Sequence, residues 1–219
     1  EAEYRCLLEL DGSNIAPKPY KYLKTPFGEV LMYDYIKDPA AIYAKSFETV
    51  RREANLARFP ADFSDVVIRL IHACGMPVIA DDIAFTPKAV SAGRAALVSG
   101  APIFVDATMV AAGIIQRHLS GNDIVCTLDD DGVADDAKNQ NTTRSAAAVD
   151  RWVPRLGGAI VAIGNAPTAL FRLLELIDDG APKPAVVLGF PVGFVGAAES
   201  KDALALNELG VEFITLKGR

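Results

Sequence analysis

Five short apolar segments in the second part of the chain constrain its fold more than any other feature. They are "APIFVD" (101–106), "DIVCTL" (123–128), "GAIVAIG" (158–164), "PAVVLGF" (184–190) and "VEFITLKG" (211–218). None alternates apolar with polar residues, so each reads as a strand covered on both faces. Helical segments separate them: "ATMVAAGI", "TRSAAAVDRWVPRL", "PTALFRLLELIDDG" and "ESKDALALNELG". Strands that alternate with helices predict an α/β fold, here a three-layer α/β/α arrangement with a mostly parallel, Rossmann-like sheet. Ligands of such sheets bind beyond the carboxyl ends of the strands. That singles out the loops "VDATM" (105–109), "IGNAPT" (163–168) and "GFPVGFVGAAES" (189–200).

Upstream, residues 38–59 form a helix by pattern, with Asp38 as N-cap and Pro39 at its first position. Residues 60–75 form a second helix stopped by Gly75, and residues 86–100 a third. Residues 129–140 are polar and read as a loop. Residues 1–33 differ from the rest. "YRCLLEL" and "GEVLMYDY" read as strands flanking "APKPYKYLKTPFG", a small hairpin-like appendage.

With 51% hydrophobic and 23% charged residues, a chain of 219 residues buries a sizeable core without disulfide or metal. A net charge of −6 and the lack of a dense Lys/Arg run argue against a nucleic-acid partner. The cysteines, Cys6, Cys74 and Cys126, are odd in number and form no CxxC pair, which fits a reduced, cytoplasmic setting. His72 and Cys74 stand two apart on a helix, point to different faces, and suit no shared metal. The longest uncharged run, Leu156 to Phe171, falls short of the ~20 residues of a membrane span. The N-terminus lacks the basic start and cleavage site of a signal peptide.

Glycines at 189, 193 and 196 do not match the G-x-G-x-x-G dinucleotide fingerprint, which argues against a Rossmann-type nucleotide enzyme. The loop still leads into a helix start, where N–H groups can hold a carboxylate or phosphate. "GNAPT" does the same after the preceding strand: Pro167 pre-sets the helix, and Asn165 offers two donors and an acceptor.

On a wheel of about 100° per residue, Phe63, Val66, Val67, Leu70, Ile71 and Cys74 form the apolar stripe of helix 60–75. His72 lies nearly opposite, with Asp65 and Arg69 beside it and Ile68 on the same side. Packing does not explain this histidine. A surface role and a proton-transfer role both remain open. His118, in "IIQRHLSGND", lies near a turn and reads as surface.

The segments "YAKSFETVRRE", "RLIHACG", "GAPIFVDATMVAAGI", "NTTRSAAA", "AIGNAPTALF" and "PVGFVGAAESKDAL" resemble the precorrin-8X methylmutase (precorrin isomerase) family, which includes the cobalt-precorrin enzymes. The resemblance runs from about Tyr33 to Arg219. It divides the chain into an N-terminal extension, 1–32, and an isomerase domain, 33–219, without the glycine/alanine-rich tail that family members usually carry past this point. It implies migration of a methyl group between ring carbons 11 and 12 of a corrin precursor, in cobalamin biosynthesis. It also implies a homodimer and no added cofactor. By the resemblance His72 is the catalytic histidine and Ser46 contacts substrate. Arg69 and Arg144 lie near the tetrapyrrole, with Ser145 and Asn165 as further binding residues. The metal-free and cobalt-containing substrates remain equal expectations. The alternative from the binding class is a corrinoid carrier that does no chemistry.

Overall fold

The computed structural model describes residues 19–25, 28–33 and 38–218. They fall into two compact units that divide between Glu53 and Ala54. The first contains an antiparallel hairpin of β1 (Pro19–Thr25) and β2 (Gly28–Tyr33), followed by helix α1 (Pro39–Glu53). β1 falls within the segment expected to link two strands, and "YRCLLEL" lies outside the described residues. Asp38 caps α1 as expected, its carboxylate accepting the Ala41 N–H at 3.0 Å. The helix ends at Glu53, six residues short of the pattern's boundary at residue 59.

The second unit is built on a six-stranded sheet in the order β3-β8-β7-β6-β4-β5. The strands are β3 (Ile83–Phe85), β4 (Ile103–Val105), β5 (Ile124–Cys126), β6 (Ile160–Ile163), β7 (Val186–Gly189) and β8 (Phe213–Leu216). All neighbours pair in parallel except the edge strand β3, which runs antiparallel to β8. From β4 the chain adds β5 on one side and then β6, β7 and β8 on the other. The order therefore reverses between β4 and β6, and the carboxyl ends of these two strands frame the crevice where such sheets bind ligands.

Alternate residues serve the two faces. Phe104, Val161, Ile163, Val187 and Phe213 join the main core, with Val149, Leu170, Leu173 and Leu204. These last belong to α7 (Arg144–Asp150), α8 (Pro167–Asp178) and α9 (Ala197–Ala205). Trp152 is fully buried and stacks on Phe104, while its indole N–H donates to Thr127 Oγ1 at 2.9 Å. Thr127 in turn donates to the Ala148 carbonyl, so the aromatic core carries no unpaired indole. The opposite face presents Ile103, Ile160, Ala162, Val186, Leu188 and Ile214 to α4 (Ala89–Val98) and to Val66, around an apolar cavity of about 430 Å³. The expected three-layer α/β/α fold is the observed one.

Helix α2 (Ala61–Cys74) ends at Gly75, whose φ of 70° suits glycine and whose N–H caps the Ile71 carbonyl. Its buried residues are Phe63, Val67, Ile68 and Ile71, whereas Val66 and Leu70 are half-buried and Cys74 is exposed. The inward face is thus rotated toward Ile68 relative to the stripe read from periodicity. His72 is half-buried at its margin rather than opposite it. The rotation follows from the aromatic cluster at the start of the helix, where the Phe63 and Phe85 rings stack at 3.9 Å and Phe59 joins them.

Two further elements differ from expectation. Residues expected as a polar loop contain α6 (Val133–Asn139), which buries Val133 and Ala137 one turn apart. The helix expected over 86–100 is the shorter α4, and the short helix expected in "ATMVAAGI" is α5 (Thr108–Gly113). Among the described residues no helix is long and apolar enough to cross a membrane.

Candidate active site

Asp106 follows β4 directly and is only 2% exposed. Its Oδ1 accepts the N–H of Gly164 at 2.9 Å. Its Oδ2 accepts those of Asn165 at 3.0 Å and Ala166 at 2.6 Å. A buried carboxylate is costly unless its lone pairs are filled, and here three backbone donors fill them. The effect is to lock the "GNA" turn after β6 onto the end of β4, at the point where strand order reverses. The sequence reading named both loops but missed Asp106 as the link between them.

The locked turn starts α8 and displays Asn165. The Asn165 backbone carbonyl accepts from Val192 N at 3.3 Å, and Ile163 O accepts from Phe190 N at 2.7 Å. The next loop, 190–196, is thereby pinned beside the turn. That loop exposes Val192, Phe194 and Val195, the last two at 86% and 89%. An apolar rim borders the carboxyl edge.

Thr143 joins the third loop to the same place. It caps α7 by accepting the Ala146 N–H at 3.2 Å, and its hydroxyl bonds that of Thr168 at 2.7 Å. Arg144 and Ser145, next along α7, are thus held beside the start of α8, three residues beyond Asn165. Arg144 is exposed. Its guanidinium donates to the Asp129 carboxylate and to the Leu128 carbonyl at 3.2 Å, and it borders a polar depression with Lys138, Asn141 and Thr142. Arg172 fastens α8 to α7 through Asp150 at 2.7 Å, and this half-buried partner raises its pKa further above the ordinary arginine value.

His72 and Arg69 form a second group. The stack of Phe63 on Phe85 fixes the beginning of α2 against β3. The other end of the helix leads through residues 75–78 into α3 (Ile79–Asp82). α3 lies at the carboxyl end of β8, where the Asp82 carbonyl accepts from Lys217 N at 2.8 Å and Ile83 pairs with Leu216. Arg58 closes this corner by donating to the carbonyls of Asp81 at 2.7 Å and Ile83 at 2.6 Å. His72 is in the last turn of α2, with Arg69 one turn earlier on its exposed side. The structure therefore gathers Arg144, Ser145 and Asn165 around the β4–β6 end of the carboxyl edge. It carries Arg69 and His72 toward the β8–β3 end. Ser46 is half-buried on α1, in the other unit. Among the described residues no group of three His, Cys, Asp or Glu side chains is arranged to hold a metal ion.

The chain is similar to known proteins in sequence and in fold. The sequence profile of the precorrin-8X methylmutase family matches residues 41–219. The precorrin-8X methylmutase of Pseudomonas aeruginosa is 54% identical over 189 residues, covering 86% of this chain and 91% of its own. The cobalt-precorrin-8 methylmutase of Priestia megaterium is 40% identical, over 83% of this chain and 80% of its own. The crystal structure of the precorrin-8X methylmutase of Thermus thermophilus superposes with a TM-score of 0.74 at 42% identity, covering 82% of this chain and 87% of that one. With a family match over most of its length and relatives of this similarity, the chain belongs to the precorrin-8X methylmutase family.

Proposed function

We propose that this enzyme moves the methyl group on ring carbon 11 of metal-free precorrin-8X to ring carbon 12, giving hydrogenobyrinate. The observation that carries the reading is the family match over residues 41–219. The metal-free substrate is supported by 54% identity to a protein named for precorrin-8X, against 40% to one named for the cobalt form. In the reaction one C–C bond to the methyl group breaks and one forms, so the product is an isomer of the substrate and no co-reactant is consumed.

The proton is the lever. A protonated macrocycle is more electron-poor at the receiving carbon, which lowers the barrier to migration. His72 is the group we assign to give that proton and take it back, since imidazole is the side chain suited to moving protons in both directions near neutral pH. General acid catalysis of this kind is worth roughly 10²–10⁴ in rate. The rim carboxylates of the substrate suit the guanidinium groups of Arg69 and Arg144, whose forks bind carboxylates in pairs. Ser145, Asn165 and Ser46 supply neutral hydrogen bonds. The exposed Val192, Phe194 and Val195 suit the apolar macrocycle and a second copy of the chain, and we assign a cytoplasmic homodimer as the working form.

Incubation of the purified chain with precorrin-8X and, separately, with its cobalt form tests this. The expected result is catalytic appearance of the corrin visible spectrum, faster with the metal-free substrate. Stoichiometric binding of corrinoid without turnover would instead make the chain a carrier. Sedimentation at micromolar concentration should give twice the 23.3 kDa chain mass.

A further inference from the structure

Thr168 is half-buried in the first turn of α8, and its hydroxyl lies 2.7 Å from that of Thr143 at the start of α7. The bond does nothing for α8 itself, where Ala166 holds the N-cap position and Pro167 supplies the fixed φ of the first turn. Nor does α7 need it as a cap, since Thr143 already accepts the Ala146 N–H at 3.2 Å. A threonine hydroxyl has one proton and two lone pairs. The cap takes one lone pair of Thr143, which leaves the proton and the other lone pair for Thr168, whichever oxygen donates. The bond therefore ties two loops together and is part of neither helix.

The turn 164–166 is held from three sides without it. Asp106 takes its N–H groups, and the Val192 N–H donates to the Asn165 carbonyl at 3.3 Å. On the third side Val110 of α5 packs so close to Gly164 that a Cβ there would meet Val110 Cγ2 at 2.9 Å. The start of α7 has fewer anchors. Its buried residues begin only at Ala146, and the pair of Arg172 with Asp150 fastens the far end. Arg144 precedes the buried stretch, and its exposed pair with Asp129 is a weak restraint. Among the described residues, Thr143–Thr168 is the one side-chain hydrogen bond that joins residues 141–145 to α8.

We propose that Thr168 is a positioning residue, whose bond to Thr143 fixes the spacing between the Arg144 guanidinium and Asn165. The proposal rests on the functional reading above and deepens it by naming what sets the distance between two of its binding groups. Thr168 acts through Arg144 and has no need to touch the substrate. A fork that binds a carboxylate by two parallel bonds tolerates little misplacement. Loss of the tie then weakens binding, while methyl migration in the bound substrate goes on.

Steady-state turnover of precorrin-8X and absorbance titration of the corrin product test this in two variants. Thr168→Val keeps the shape and loses the hydroxyl; Thr168→Ser keeps the hydroxyl. Thr168→Val should raise KM and the product dissociation constant roughly three- to tenfold, the loss that goes with one neutral hydrogen bond, and leave kcat within about twofold. Thr168→Ser should return both constants close to the parent's. Arg144→Ala should weaken binding less in the Thr168→Val background than in the parent, because both changes remove the same contact. Melting temperatures should stay near the parent's throughout. Parent-like constants in Thr168→Val would overturn the proposal, and so would effects of Thr168→Val and Arg144→Ala that multiply in full. A Thr168→Ser variant as weak as Thr168→Val, or a melting temperature several degrees lower in Thr168→Val, would assign the residue to packing instead. In each of these outcomes the parent still binds and turns over. A parent chain that binds no corrinoid and converts no precorrin-8X would overturn the functional reading itself, and the proposal with it.

Discussion

Asp106 Oδ2 accepts the backbone N–H groups of both Asn165 and Ala166, at 3.0 and 2.6 Å, across 60 residues of sequence in the latter case. A single carboxylate thereby fixes the turn that starts α8 and displays Asn165. Asp106→Asn keeps the size of the side chain but places an NH₂ where one oxygen accepted. Whichever way the amide turns, an N–H faces an N–H. A buried donor left without an acceptor costs about 1–3 kcal/mol. The variant should keep its circular dichroism spectrum, melt several degrees lower, and bind the corrin product at least several-fold more weakly. A binding constant equal to the parent's would separate this turn from the substrate.

Arg144 is exposed and already paired with Asp129. Exposed pairs contribute only about 0–1 kcal/mol, so a substrate carboxylate can displace Asp129 at little cost. Arg144→Ala should weaken corrin binding several-fold or more while leaving the melting temperature nearly unchanged. Asp129→Asn should have the opposite effect on binding, since it releases the guanidinium. Absorbance titration of both variants checks the pair, and equal affinities in parent, Arg144→Ala and Asp129→Asn would remove Arg144 from the site.

Gly189 ends β7 under Leu204, and a methyl group there would meet Leu204 Cδ2 at 2.5 Å. Leu204 is fully buried and has little room to withdraw. Overpacking of this kind costs about 1–3 kcal/mol. Gly189→Ala should lower the denaturant midpoint accordingly. Placing Ala at both 189 and 204 should lower it by less than the sum of the two single changes, because the cavity left by Leu204 admits the new methyl group. Strict additivity in urea unfolding would contradict the packing described.

The parallel strands were legible because each is a short apolar run between glycines, prolines and polar residues, and because burial on both faces removes alternation. β3 escaped notice: three residues, Ile83–Phe85, carry no periodicity, and only pairing with β8 makes them a strand. α6 was read as loop because its inward residues are one valine and one alanine among charged neighbours. The α2 wheel gave the helix but not its rotation, since the Phe63–Phe85 stack that sets it joins residues far apart in sequence. Two loops of the candidate site, 105–109 and 163–168, were legible because ligands of such sheets bind beyond the carboxyl ends of the strands. Asp106 was not: a lone polar residue declares its role only through neighbours that the linear sequence does not reveal.

The pH dependence of stability follows from Lys201. Burial lowers its pKa in the folded chain below the ordinary 10.5, while Asp202 opposes the shift. In the unfolded chain the lysine holds its proton up to the ordinary value. Between the lowered value and 10.5 the unfolded state therefore binds more protons, and stability contributed by this group rises with pH. Below that window the group is charged in both states and its penalty is fully present. Lys201→Met removes both the penalty and the rise. Melting curves should show the variant ahead of the parent near neutral pH, with the gap narrowing as pH is raised through the alkaline range. A gap that stays constant would mean that the ammonium is not desolvated in the folded chain.

His72 is half-buried in the last turn of α2, at the margin of the buried face rather than within it. Phe63, Val67, Ile68 and Ile71 supply the packing of that helix, so stability alone does not require a histidine there. The helix ends beside α3 at the carboxyl edge, the side of the sheet on which substrates are bound. His118 is exposed in the short 3₁₀ turn Gln116–His118 and provides an internal control. His72→Asn preserves similar size and polarity but cannot deliver a proton at neutral pH. The variant should fold, bind the corrin product as the parent does, and lose roughly 10² or more of its turnover. His118→Asn should keep the parent rate. The decisive measurement is the single-turnover rate of corrin formation from precorrin-8X for both variants beside the parent. A His72→Asn variant that retains most of the parent rate would move the proton source elsewhere and leave His72 as a binding residue.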